Sequence, residues 1–212
     1  MINYDAIRLL DWYFQQPTSF DDSENAFSRN VMVFRFLKGE LQNGPISGNL
    51  PFCRRFSSFY GMRFVPADAK AVFFAKMDEL RERHAGINAR QLTEALQEEM
   101  GKEYFSFTTK MLNLLDDESY PIYDSQVGTV FQRPFFPGET RLDYQATVNQ
   151  DILDTYRELL NHPIIEAFRT RFNCPDIGYM KILDAIFWRL GAMLDEEGLE
   201  LSPAEFLQER GL

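Results

Sequence analysis

The sequence predicts an all-α protein of about ten helices, with little or no sheet. Three observations carry this. Apolar residues recur at steps of three and four almost throughout the chain. No alternating apolar–polar run of four or more residues is bounded by turn signals. The stretch 177–193 is apolar on most sides, as expected of a helix buried at the centre of a bundle. No linker, internal repeat or low-complexity tract interrupts these elements. The pattern fits one compact all-α domain over 1–212, or two lobes divided near 85–90 and meeting at the hairpin described below.

Each helix has its own signature. Ile7, Leu10, Tyr13 and Phe14 form a first stripe, with Pro17 as its stop. Phe27, Val31, Phe34, Leu37 and Leu41 form a second over 23–43, ended by Gly44-Pro45. Phe52, Phe56 and Phe59 or Tyr60 mark a short third helix with Gly61 just beyond its end. Asp68 is read as opening a fourth, with Ala69, Val72, Phe73, Met77 and Leu80 inward and Gly86 as its stop. Asn88 caps a fifth that carries Leu92, Ala95, Leu96 and Met100, and Gly101 terminates it. Ser106 or Thr108 opens the helix of Met111, Leu112 and Leu115. Asp124 begins a short one with Val127, Val130 and Phe131. Residues 132–142, with two prolines and a glycine, form a loop. A long helix then runs through Tyr144, Val148, Ile152, Tyr156 and Leu159. Pro163 fits the first turn of the next, with Ile164, Ile165, Phe168 and Phe172. After 177–193, Ser202-Pro203 opens a terminal turn bearing Phe206 and Leu207.

Composition narrows the function classes. A chain of 212 residues buries roughly 70% of its unfolded surface, enough for a core without staples. Twenty Phe and nine Tyr make that core aromatic. Cys53 and Cys174 are isolated and only His84 and His162 are present, so neither a disulfide framework nor a metal site is expected. The N-terminal stretch has no basic region or cleavage signature, and no apolar run reaches membrane-spanning length. The expectation is a soluble cytoplasmic protein with no membrane partner. The net charge of −10 opposes a phosphate backbone at long range. Residues 51–90 run the other way. Arg54, Arg55, Arg63, Lys70, Lys76, Arg81, Arg83 and Arg90 stand there against Asp68, Asp78, Glu79 and Glu82. That asymmetry marks a candidate docking face for DNA or a protein partner, with solvated helix faces as the simpler explanation.

One stretch has the residues for chemistry. In "KMLNLLDDESYPIYDSQV", Lys110 opens a short helix, a polar turn follows, and Asp124 stands at the mouth of another helix fourteen positions on. An amine and a carboxylate brought together across a hairpin make a nucleophile and its activating group. The same residues also read as a helix cap at Asp124 and a solvated Lys110, or one paired with Asp116 or Asp117. Asp184 and Trp188, one turn apart in the most apolar helix, are odd for that setting. A buried Asp184 needs partners and is expected to bond a neighbouring loop, with Trp188 in the core. Tyr123 beside Pro121 offers a ring for base stacking. Arg54 and Arg55 offer phosphate contacts, although adjacent helical residues diverge and at most one is expected on any given surface.

The segment "FSFTTKMLNLLDDESYPIYDSQV", followed by "MKILDAIFWRLG", resembles a group of poorly characterised bacterial and phage-associated helical proteins. That group looks distantly related to the helix-hairpin-helix DNA glycosylases, which include 8-oxoguanine glycosylases. The resemblance covers about 90–192. It implies a glycosylase-like helical fold and a repair protein that binds or processes damaged or modified DNA. Lys110 matches the Schiff-base nucleophile and Asp124 the charge-stabilising carboxylate, while Arg54, Arg55, Arg63, Arg83 and Tyr123 are candidate nucleic-acid contacts. Where those enzymes carry a Gly-rich hairpin, this chain reads "GKEYFSFTTK" with Gly101 alone. The four-cysteine iron–sulfur loop of some members is absent, so no cofactor is expected. The competing expectation is a non-enzymatic helical interaction module in which Lys110 and Asp124 are structural.

Overall fold

A computed structural model describes residues 1–16, 20–196 and 201–211. Among them there are eleven α-helices and no strand, so the all-α expectation holds. In chain order these are α1 (Tyr4–Gln15), α2 (Glu24–Asn43), α3 (Leu50–Phe59), α4 (Ala67–Leu80), α5 (Ala89–Met100) and α6 (Phe105–Leu115). They continue with α7 (Ser125–Val130), α8 (Arg141–Glu158), α9 (Pro163–Arg171), α10 (Tyr179–Glu196) and α11 (Pro203–Glu209).

The polar residues chosen as helix starts mostly act as caps. The side chains of Asn88, Asp124 and Ser202 accept backbone N–H groups at the starts of α5, α7 and α11. Pro163 is the first residue of α9, behind His162 as its cap. Gly61 and Gly101 follow α3 and α5 in the left-handed conformation, at φ 77° and 70°.

Four boundaries differ from expectation. Helix α4 begins at Ala67 behind Pro66, and Asp68 lies within its first turn. It stops at Leu80, well before Gly86, because residues 81–88 turn towards the Asn88 cap. Helix α6 starts at Phe105 behind Tyr104, which makes no side-chain cap. The hydroxyls of Thr108 and Thr109 instead donate back to the carbonyls of Tyr104 and Ser106. Lys110 therefore sits in the second turn and not at the opening. The loop before α8 also ends earlier, at a Thr140–Asp143 capping box. The stop at Pro17 lies outside the described residues.

Buried side chains from α1 through α11 join one apolar cluster. Its aromatic content packs largely edge to face. Phe27 meets Phe168 at 5.3 Å, joining α2 to α9, and Phe56 meets Phe74 at 5.6 Å, joining α3 to α4. At the centre α10 packs on α1, α7 and α9, while α2 packs on α3 and α6. The α7–α10 contact is unusually close. A Cβ on Gly191 would lie 1.9 Å from the carbonyl oxygen of Gln126, so only glycine admits this approach. Gly178, just before α10, abuts the Asp117 backbone in the same way, at 2.2 Å. There the Asp117 carboxylate accepts the Gly178 N–H at 2.7 Å and pairs with Lys38 at 2.7 Å.

No helix of the described residues is long and apolar enough to cross a membrane.

Candidate functional site

Four pieces of chain converge on a cleft of about 480 Å³. Helix α2 contributes Ala26, Arg29 and Asn30, and the end of α3 contributes Ser58 to Gly61. The α6–α7 hairpin contributes Lys110, Ile122 and Asp124. Helix α10 contributes Lys181, Asp184, Ala185 and Trp188. The last four follow i, i+3, i+4, i+7 spacing and so share one face of a helix that is otherwise buried in the core. Lys181, Asp184 and Ala185 are buried there, and Trp188 is exposed.

The hairpin is held by hydrogen bonds from α6. The Thr109 hydroxyl accepts the Tyr123 N–H at 3.1 Å, and Asn113 Nδ2 donates to the Tyr120 carbonyl at 2.6 Å. These fix the strand-like segment leading to Asp124. One Asp124 oxygen then accepts the Val127 N–H at 3.1 Å, and the other faces Lys110 Nζ at 3.9 Å. The Lys110 amine donates to Ser106 Oγ at 3.0 Å and stands over the rings of Phe107 and Tyr60. Lys110 is 9% exposed, and Asp116 and Asp117 are not its partners. The expectation of a solvated lysine is thereby corrected, because the amine turns inward to Asp124. Burial pushes its pKa below the ordinary lysine value. The Asp124 and Asp184 carboxylates oppose that shift, and the Lys181 ammonium adds to it.

A second pair stands beside the first. Lys181 Nζ meets Asp184 Oδ2 at 2.5 Å, both side chains almost wholly buried. Asp184 therefore pairs within its own helix, one turn back, and not with a loop as expected. Burial raises its carboxyl above the usual range, with Lys181 opposing and Asp124 adding. Its other oxygen, Oδ1, has no hydrogen-bond partner among the described residues, and neither has the hydroxyl of Tyr60. Burial raises the Tyr60 pKa strongly, with Asp184 and Asp117 adding to the effect. Two of the cleft's lining residues thus each keep one buried polar atom unsatisfied, at a cost in stability. Trp188 is 40% exposed at the cleft and not a core residue.

The candidate nucleic-acid contacts fall in different places. Arg54 and Arg55, both exposed, line one shallow depression with Phe36, Pro51 and Ser58. The expectation that only one could serve a given surface fails, because long side chains close the angle between adjacent helix positions. Ser58 belongs to this depression and to the cleft alike. Arg63 is exposed on the short turn after Gly61. Arg83 lies elsewhere, in a depression with Asp78, Glu79 and Glu82. Tyr123 is not among the cleft residues. Its ring packs edge-on against Phe105 at 5.6 Å and covers Gly128.

Sequence reasoning did not single out Lys181, Tyr60, Arg29 or Asn30. Lys181 had a signal, since a lysine three residues before an aspartate in the most apolar helix marks a buried pair on one face. The other three reach the cleft only through the packing of α2 and α3 on α10's neighbours.

No group of three or more His, Cys, Asp or Glu among the described residues could hold a metal ion. No protein-family model, curated protein or solved structure matches the chain.

Proposed function

We propose that this protein binds nucleic acid carrying a damaged or modified base and cleaves the bond between that base and its sugar. The observation that supports this is the meeting of a buried, pKa-lowered amine and a carboxylate 3.9 Å apart on one open cleft. In this reading the Lys110 amine, once deprotonated, attacks the anomeric carbon. The C–N bond to the base breaks, and its electron pair leaves with the base, which takes a proton from water. Asp124 stabilises positive charge building on the sugar and accepts the proton shed by the new C–N⁺ centre. Loss of the ring oxygen from that carbon, protonated as it leaves, then yields a Schiff base on Lys110.

A non-enzymatic interaction module is the second reading. The 3.1 Å cap bond at Asp124 favours it, since capping alone accounts for that residue.

Borohydride trapping separates the two. An oligonucleotide panel of modified bases and abasic sites is expected to give a covalent adduct that Lys110→Ala abolishes. Asp124→Asn slows base release about a hundredfold while leaving binding largely intact. Absence of an adduct across the panel, or an adduct that survives Lys110→Ala, refutes the enzymatic reading.

A further inference from the structure

Outside the cleft the charge pattern reverses. The chain holds 32 acidic residues against 22 Lys and Arg, yet the depression of Phe36, Pro51, Arg54, Arg55 and Ser58 contains no carboxylate. It joins the cleft at Ser58, where the lining also includes Arg29. In the cleft itself both carboxylates, Asp124 and Asp184, already face a lysine. Arg29, Arg54 and Arg55 are exposed, and no ion pair involves them among the described residues. Three unneutralised guanidinium groups along one surface of an acidic protein favour a polyanion.

Rings lie among these charges. Phe36 is 39% exposed, with the Arg55 guanidinium 5.9 Å from its centroid, and exposed Trp188 lines the cleft. Arg29 and Phe36 are two turns apart on the same side of α2, a span of about 10 Å, with exposed Met32 between them. Guanidinium groups beside exposed aromatic side chains match a strand whose phosphates and base faces are both accessible. A duplex covers its base faces within the stack, and an acidic peptide has no planar rings to offer Phe36 and Trp188.

Resting on the nucleic-acid reading above, we propose that the α2–α3 surface is a track for single-stranded nucleic acid. Its phosphates lie on Arg29, Arg54 and Arg55, its bases stack on Phe36 and Trp188, and it delivers one nucleotide into the Lys110–Asp124 cleft.

The test is fluorescence anisotropy at graded salt with a labelled 12-nucleotide strand, the same sequence as a duplex, and a poly-glutamate peptide. The strand is expected to bind the full chain at least tenfold more tightly than either competitor. Arg54→Glu/Arg55→Glu weakens strand binding at least tenfold and makes the slope of log K against log salt shallower by about 1.4, at roughly 0.7 per lost phosphate contact. Phe36→Ala weakens it about tenfold without changing the slope. All three side chains are exposed, and wild-type melting temperatures establish that the variants fold. Equal or tighter duplex or poly-glutamate binding, no strand binding, or affinities indifferent to these substitutions each overturn the track. Adduct formation at Lys110 on an abasic-site oligonucleotide is followed in parallel. If the adduct persists while strand preference or arginine dependence is absent, the track fails and the glycosidic reading stands. Strand binding that follows the arginines without any adduct leaves the track and removes the chemistry.

Discussion

Replacing Gly191 with alanine places a methyl group 1.9 Å from the Gln126 carbonyl oxygen and 2.6 Å from its carbon. Both atoms are backbone and cannot rotate away. To restore ordinary contact, near 3.4 Å, α7 must retreat from α10 by about 1.5 Å. Overpacking of this kind costs about 2–3 kcal/mol, which lowers Tm by about 4–12 °C in a chain of this size. Gln126 is two residues beyond Asp124, so the retreat also draws the carboxylate away from Lys110. A misplacement near 1 Å costs about a hundredfold in rate where the pair acts in chemistry. Thermal melting and the adduct assay read the two effects separately. Gly39→Ala is the control, because nothing lies within 4 Å of its added methyl and it stands inside α2. That variant is expected to gain about 0.5–1 kcal/mol. A Gly191→Ala protein that melts with wild type would refute the close α7–α10 packing and the placement of Asp124 derived from it.

Two further outcomes concern the charged groups. Asp124→Ala removes the 3.1 Å cap bond and is expected to cost about 1 kcal/mol, or about 2–4 °C in Tm. Asp124→Asn keeps an acceptor oxygen and stays near wild-type stability, so an activity loss in the asparagine variant reports charge and not folding. Lys181→Met leaves the Asp184 carboxylate buried without its 2.5 Å partner and is expected to cost about 3–5 kcal/mol, whereas Lys181→Met/Asp184→Leu stays close to wild type. The pH dependence follows from the raised Asp184 pKa. The folded state binds more protons than the unfolded one above the ordinary value of 3.8. This group's contribution is complete below that value and is lost as pH rises through the raised folded pKa. Denaturant titrations across that window should show the fall in wild type and a flatter profile in Asp184→Asn.

The helices were legible wherever local forces set them. Apolar spacing placed α2 and α10, and residue chemistry placed the caps at Asn88, Asp124 and Ser202, because each cap bond closes within three residues. Two helix starts that lack a side-chain cap bond were misplaced. Tyr104 precedes α6 and Pro66 precedes α4 without a side-chain bond, and neither signals a boundary by its acceptor chemistry. The site divides the same way. Lys110 and Asp124 share a hairpin whose geometry is local, so their meeting could be anticipated. Tyr60 and Arg29 arrive from α3 and α2 through packing between distant segments, and Gly191 matters only because Gln126 lies against it. Such contacts leave no periodicity in one sequence. Trp188 shows the converse error, since an apolar helix predicts burial at every position unless the bundle leaves an opening beside it.

Energetics supply the last step towards function. A cap at Asp124 needs no lysine, and a surface lysine at position 110 would keep its hydration. Here the Lys110 amine is 9% exposed, has its carboxylate at 3.9 Å and makes a single hydrogen bond, to Ser106. A buried ammonium gains net stability only from close, well-bonded partners, and this one has a hydroxyl and two ring faces. The neighbouring Lys181–Asp184 pair is closer, yet one of its carboxylate oxygens is unsatisfied as well. Both departures from the stable arrangement belong to residues that line the same cleft. Perturbed, under-satisfied charges gathered around one opening are characteristic of functional sites, and a purely structural role for Lys110 leaves its cost offset by one hydroxyl, two ring faces and a carboxylate 3.9 Å away. That imbalance is what the proposed chemistry at Lys110 would account for. It also makes Lys110→Met informative, since a structural lysine would be missed on removal, while a catalytic one at this position would leave a protein at least as stable and without an adduct.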